Sequence, residues 1–211
     1  MKLFQKNEFI KRIQFAISEN NPITLIVGSP ISYDYCNKKG VADVSETIQR
    51  IRQSFSSDPE SLGKLNISLQ QPDANPYQKA FEYVLAVRGS RYANNLIRES
   101  VLNAYESDRE VDQRNSTADE SRWYLPPAVN AIGKLLASRP EAFGSRILTT
   151  NFDPLIEVAI RRNGGSSYSN FFHRDGNPNT TNASGVGVIH LHGFWEGSDT
   201  LHTPHQLKQS R

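Results

Sequence analysis

Apolar residues along this chain fall into two patterns, one with the spacing of helices and one with that of buried strands. Phe9, Ile10, Ile13, Phe15, Ala16 and Ile17 recur at helical spacing, which predicts an amphipathic first helix ended by Asn20-Asn21-Pro22. Ile23-Thr24-Leu25-Ile26-Val27 is a β-branched run without polar alternation, the pattern of a central parallel strand, and Gly28-Ser29-Pro30 closes it. Helical spacing returns from Val41 to about Phe55 through Val44, Ile48 and Ile51. Ser56-Ser57-Asp58-Pro59 and Gln71-Pro72-Asp73-Ala74-Asn75-Pro76 carry loop signals on either side of a weakly structured piece. Two further amphipathic helices are expected over Tyr77 to Val87 and Ala93 to Tyr105. The charged stretch from Ser107 to Arg122 reads as a loop.

Pro126-Pro127 opens a helix bearing Val129, Ile132, Leu135 and Leu136. Arg146 to Thr149 predicts a second strand, followed directly by a helix with Leu155, Ile156, Val158, Ala159 and Ile160 that Asn163-Gly164-Gly165 stops. Ser166 to Phe172 predicts another strand, His173 to Ser184 a loop, and Gly187 to Leu191 a core strand. The alternation of strands and helices argues for an α/β fold, a Rossmann-like parallel sheet with flanking helices. The helical stretch from about 56 to 125 reads as an insertion between the first two core strands.

Composition narrows the field. The chain has 211 residues with 24 Lys and Arg against 22 Asp and Glu, a formal net charge of +2. No basic block stands out, so the chain has no footprint for direct nucleic-acid contact. Cys36 is the only cysteine, which rules out a disulfide within the chain and a four-cysteine zinc ribbon. No apolar run approaches membrane-spanning length and the N-terminus lacks a signal-peptide core, so a cytoplasmic location is expected. Thr203-Pro204-His205 opens a helix within a few residues of Arg211, which reads as the N-terminal part of a longer protein.

Candidate chemistry gathers where apolar runs switch abruptly to polar residues. Ile147-Leu148-Thr149-Thr150-Asn151-Phe152-Asp153 and Val188-Ile189-His190-Leu191-His192-Gly193 both do so, as buried parallel strands do at a ligand site. Asp153 before Pro154 reads first as a helix cap. Asn151 can donate and accept at once, which suits ribose hydroxyls or a positioned water. His190 and His192 project to the same side of a strand. A metal pair would need a third ligand, and none sits at a telling spacing, so no metal is expected. His190 is the satisfied, partly buried histidine and His192, before Gly193, the general base. Gly28-Ser29-Pro30-Ile31-Ser32 lies where an α/β nucleotide site places its phosphate loop. Asp43, after Gly40-Val41-Ala42, is either a helix cap or a ligand contact.

Together these segments resemble the sirtuin superfamily, specifically the SIR2-like NAD-consuming domains of bacterial antiphage defence proteins. Thr149-Thr150-Asn151-Phe152-Asp153-Pro154-Leu155-Ile156-Glu157 is similar to that group's Thr-Thr-Asn-aromatic-Asp-x-Leu-hydrophobic-Glu motif. Leu191-His192-Gly193 resembles its Leu-His-Gly segment, whose His is the base. Gly28 to Ser32 stands where the family has Gly-Ala-Gly-x-Ser, with Ser29 and Pro30 replacing Ala and Gly; proline supplies no N–H. Gly40-Val41-Ala42-Asp43 resembles Gly-Ile-Pro-Asp, which faces nicotinamide.

The resemblance implies one SIR2-like domain over residues 1–211 without the zinc module of deacylating sirtuins. It implies NAD as substrate, hydrolysed to nicotinamide and ADP-ribose in antiviral defence. Asn151 would orient the ribose and a water, and His192 would take the proton. Gly28, Ser29 and Ser32 would face the phosphates. Val41, Asp43, Thr150, Asp153 and Gly193 would complete the pocket. A homo-oligomer and a downstream sensor or NTPase domain are the implied partners. The alternatives are an NAD- or ADP-ribose-binding sensor module without turnover, and a protein deacylase.

Overall fold

The computed structural model describes residues 5–71, 75–106, 119–143, 145–171, 184–196 and 200–209. Four parallel strands, β1 (Leu25–Val27), β4 (Arg146–Thr149), β5 (Ser167–Phe171) and β6 (Val186–His190), form one sheet in the order β1-β4-β6-β5. The chain is therefore a Rossmann-like α/β fold. A two-stranded hairpin, β2 (Tyr33–Asp34) with β3 (Lys39–Gly40), stands apart from that sheet.

β1 differs from its expected place. It lies at the sheet edge, and Ile26 is 69% exposed on it. A short β-branched run looks the same at an edge as in the middle, because the run encodes burial of a face and not the number of neighbouring strands. α1 (Lys6–Ser18) forms as its spacing predicts and ends at Asn20, whose backbone is left-handed at φ 53°. None of its residues is buried.

α5 (Pro127–Ser138) and α6 (Leu155–Arg162) cover one face of the sheet. Their side chains Leu136, Ile156 and Ile160 pack with Ile147, Val186 and Val188 of the strands. Each such fully buried aliphatic side chain contributes roughly 1.5–3 kcal/mol. The two helices approach closely at Gly133, where a Cβ would stand 2.4 Å from Ala159 Cβ.

The second core belongs to the helices between β1 and β4. α2 (Val44–Ser54), α3 (Pro59–Leu69) and α4 (Pro76–Leu102) pack around Ile51, Phe55, Leu65, Phe81, Val84 and Ile97. The helical layer thus begins at α2, ahead of position 56. α2 starts at Val44, not Val41, because Asp43 caps it. The segment expected to be weakly structured is α3. Asp58 accepts from the Ser61 N–H and Pro59 takes the first helical position, a start signal that outweighs the polar composition that follows. α4 spans both helices expected there, and Gly89 breaks it with φ 78°. Trp123 and Trp195 belong to this same core and stand edge to face, with centroids 5.7 Å apart.

The expected loops fall largely on 107–118 and 172–183, outside the described residues. The start of the last helix is borne out: α7 (Pro204–Gln209) follows Thr203, whose hydroxyl accepts from the Gln206 N–H. Among the described residues no helix is long and apolar enough to cross a membrane.

Candidate active site

Strand register builds the site. β4 and β6 are adjacent and parallel, with Thr149 paired to His190. Two residues beyond each, Asn151 and His192 leave the sheet at the same level. Leu191 N–H donates to Thr149 O at 2.8 Å, and Trp195 N–H to Phe152 O at 3.0 Å, so the two strand exits remain tied. Gly193, buried and with φ 97°, turns the second exit at a backbone angle that suits glycine.

A cavity of about 380 Å³ opens there, within the range of small-molecule sites. Ser29, Ser32, Val41, Thr150, Asn151, Asp153 and His192 all line it. Helices α2 and α4 supply the facing wall through Val44, Thr47, Ile97 and Val101. The remaining expected residues lie off the wall. Gly28 sits behind Thr150, whose Oγ1 would be 3.2 Å from a Cβ at that position. Gly193 shapes the turn after His192. Asp43 is committed to a capping box, its carboxylate accepting from Glu46 N–H at 2.8 Å while the Glu46 side chain accepts from Asp43 N–H. The cap is the reading of Asp43 that the geometry supports.

Asn151 is 3% exposed. Its Nδ2 donates to Ser32 Oγ at 2.8 Å, and its backbone N–H to Thr149 Oγ1 at 3.0 Å. Its Oδ1 is buried with no hydrogen-bond partner among the described residues. A buried carbonyl oxygen in that condition is costly unless something supplies a donor. Asp153 stands beside it. Burial pushes the Asp153 carboxyl up to about 6, against the opposing effect of hydrogen bonds from Ser32 and from Leu155 N–H. Asp153 therefore does more than accept from the first N–H of α6: it places an ionisable group in the cavity wall. The Ser32 hydroxyl is held between Asn151 and Asp153.

His190 is fully buried, and its geometry fixes its protonation. Nδ1 lies 2.9 Å from Asn151 O and Nε2 lies 2.8 Å from Glu157 Oε1. Both partners accept, so both ring nitrogens carry hydrogen and the ring is an imidazolium. Burial disfavours the charge, but the Glu157 carboxylate outweighs it: the His190 pKa is raised and that of Glu157 lowered. Ser169 Oγ completes the pair by donating to Glu157 Oε1 at 2.6 Å. His190 is thus structural, and more deeply buried than expected. It anchors the Asn151 carbonyl to α6.

Three lining residues carried no usable sequence signal. Asn75 enters as the N-cap of α4, Tyr77 from its first turn, and His202 from the segment after β6. His202 stood in the sequence as a histidine beyond a Gly and Trp loop, with nothing to tie it to Asn151. Among the described residues no three of His, Cys, Asp and Glu group closely enough to hold a metal ion. The chain matches no protein-family model, and no curated protein sequence is significantly similar to it.

Proposed function

We propose that this cavity cleaves the N-glycosidic bond of NAD, releasing nicotinamide and ADP-ribose, and that the domain serves antiviral defence by depleting NAD. The carrying observation is the meeting of Asn151 and His192 at one cavity, with Asn151 Oδ1 a buried acceptor that has no partner among the described residues. A ribose hydroxyl or a water satisfies that acceptor.

The reaction needs little acid catalysis, because the pyridinium nitrogen already carries positive charge. Water adds to the ribose C1′ as the bond from C1′ to nitrogen breaks. The electron pair of that bond neutralises the ring nitrogen. His192 takes the proton from the water or from a ribose hydroxyl. Asn151 orients the ribose, and ionised Asp153 stabilises positive charge developing on the sugar. The single cysteine cannot build the zinc module that walls the acyl-lysine groove of deacylating sirtuins, which favours water over an acyl-lysine side chain as acceptor.

A second reading has its own support at the glycine turn. Pro30 has no N–H, and the Ser32 hydroxyl, which accepts from Asn151, gives its proton to Asp153, so the turn offers few donors to a pyrophosphate. A module that binds NAD or ADP-ribose without cleaving it fits that turn. In either reading the domain works in the cytoplasm as part of a homo-oligomer, under a sensor or NTPase domain, without itself touching nucleic acid or membrane. Mass spectrometry of NAD incubated with the full-length protein separates the readings. Nicotinamide and ADP-ribose in equal amounts support hydrolysis. NAD retained on the protein without nicotinamide release supports the sensor, and acetyl-ADP-ribose from an added acetylated peptide supports a deacylase.

A further inference from the structure

His202 brings a second hydrogen-bonded chain to the cavity. The segment bearing it is tied to the strand exit, with Leu201 N–H donating to His192 O at 2.8 Å. The His202 ring stacks on Phe81 with centroids 4.0 Å apart, and lies 5.0 Å from Phe152 and 6.0 Å from Tyr77. Its Nε2 is 2.8 Å from Thr200 Oγ1 and its Nδ1 is 3.1 Å from the Tyr77 hydroxyl.

Proton bookkeeping along this chain gives each group a direction. The single Thr200 hydroxyl proton goes to Asn94 Oδ1, so Thr200 Oγ1 accepts and His202 Nε2 carries hydrogen. Burial, with His192 nearby, pushes the His202 pKa down to about 3, so the ring is neutral. Its Nδ1 then accepts, and Tyr77 donates to it. The phenolic oxygen keeps its lone pairs for another partner, and donation to the imidazole makes it a better acceptor.

Tyr77, Phe152 and His202 all line the cavity beside Asn151 and His192. We infer that these three residues form the subsite for the nicotinamide moiety, with the Tyr77 oxygen accepting from its carboxamide N–H. The inference rests on the NAD-cleavage reading and names the residues that select the leaving group. A planar pyridinium offers an aromatic face and a cation to the rings, and its carboxamide offers two donors. Asp43, the residue the resemblance would place there, is engaged in capping α2.

Isothermal titration of nicotinamide, ADP-ribose and NAD into the full chain tests the assignment, using wild type, Tyr77→Phe and Phe152→Leu. Loss of one hydrogen bond should weaken nicotinamide binding to Tyr77→Phe about three- to tenfold while ADP-ribose binds as before. Phe152→Leu should likewise lose nicotinamide affinity selectively. Unchanged ADP-ribose binding certifies that each variant is folded. Nicotinamide binding equally well to wild type and both variants overturns the subsite, as does equal weakening of both ligands. So does ADP-ribose binding without detectable nicotinamide binding to wild type. Wild type binding none of the three overturns the NAD reading and the subsite with it.

Discussion

Asn151 owes its role to what surrounds it. Ser32 takes its amide hydrogen, Thr149 its backbone N–H and His190 its carbonyl, so the side-chain oxygen is the group left over. Asp153 next to it carries an ionisation that burial opposes. Its raised pKa, about 6, means that ionisation weighs against the fold once pH exceeds the ordinary carboxyl value of about 4, with the full penalty reached above 6. Asp153→Asn is therefore expected to stabilise the protein at pH 8 by on the order of 2 kcal/mol. The gain should vanish near pH 4, and NAD cleavage should fall. Thermal melts across that range check it, and a destabilised variant at pH 8 would show that the carboxylate is a structural partner. At this scale the sequence was informative where polarity changed abruptly. Asn151 and His192 stood out because each ends an apolar run. Tyr77 and His202 did not, because nothing local marks a residue whose neighbours come from distant segments.

Elements carry the site through two buried contacts. α5 and α6 meet where Gly133 lies against Ala159, with the Ala159 backbone C only 2.6 Å from the place a Cβ would take. Backbone cannot yield as a side-chain end can, so Gly133→Ala should force the helices apart and cost about 1–3 kcal/mol or more. Chemical denaturation measures it, and a neutral outcome would mean that the helices slide freely. The His190 and Glu157 pair joins β6 to α6. The His190 pKa is raised, so its contribution is complete below the unfolded value of about 6.5 and is lost as pH rises through the folded one. The Glu157 pKa is lowered, so its contribution is present above about 4.3 and is lost as pH falls through the folded one. Both contributions are complete between those two pH values. Glu157→Gln leaves a buried imidazolium without its counter-charge, at a cost of about 3–5 kcal/mol. It should also flatten the decline in wild-type stability above pH 6.5. Parallel declines in wild type and variant would contradict a charged pair. The strands and long helices were legible because periodicity records burial. The edge position of β1, the hairpin of β2 and β3, and α3 were not. Edge position depends on partners far along the chain, two-residue strands leave no period, and α3 is announced only by its cap.

At the scale of the whole molecule, the sheet presents its strand exits and the helices between β1 and β4 close over them. One cavity therefore has a floor made by the exits of β4 and β6 and a wall made by α2 and α4. The parallel arrangement was readable from strand and helix alternation. That the helical layer faces the strand exits was not, because it follows from tertiary packing that brings Leu155, Val158 and Trp195 into one core with Phe55, Phe81 and Ile97. Asn151 and His192 are proposed to work on the same ribose. Nicotinamide release from NAD by the full-length protein, compared with Asn151→Ala and His192→Ala of unchanged melting temperature, is the most direct test. Loss of the general base is expected to slow release by roughly 10²–10⁴-fold. His192→Ala retaining more than about a tenth of wild-type turnover would contradict the assignment.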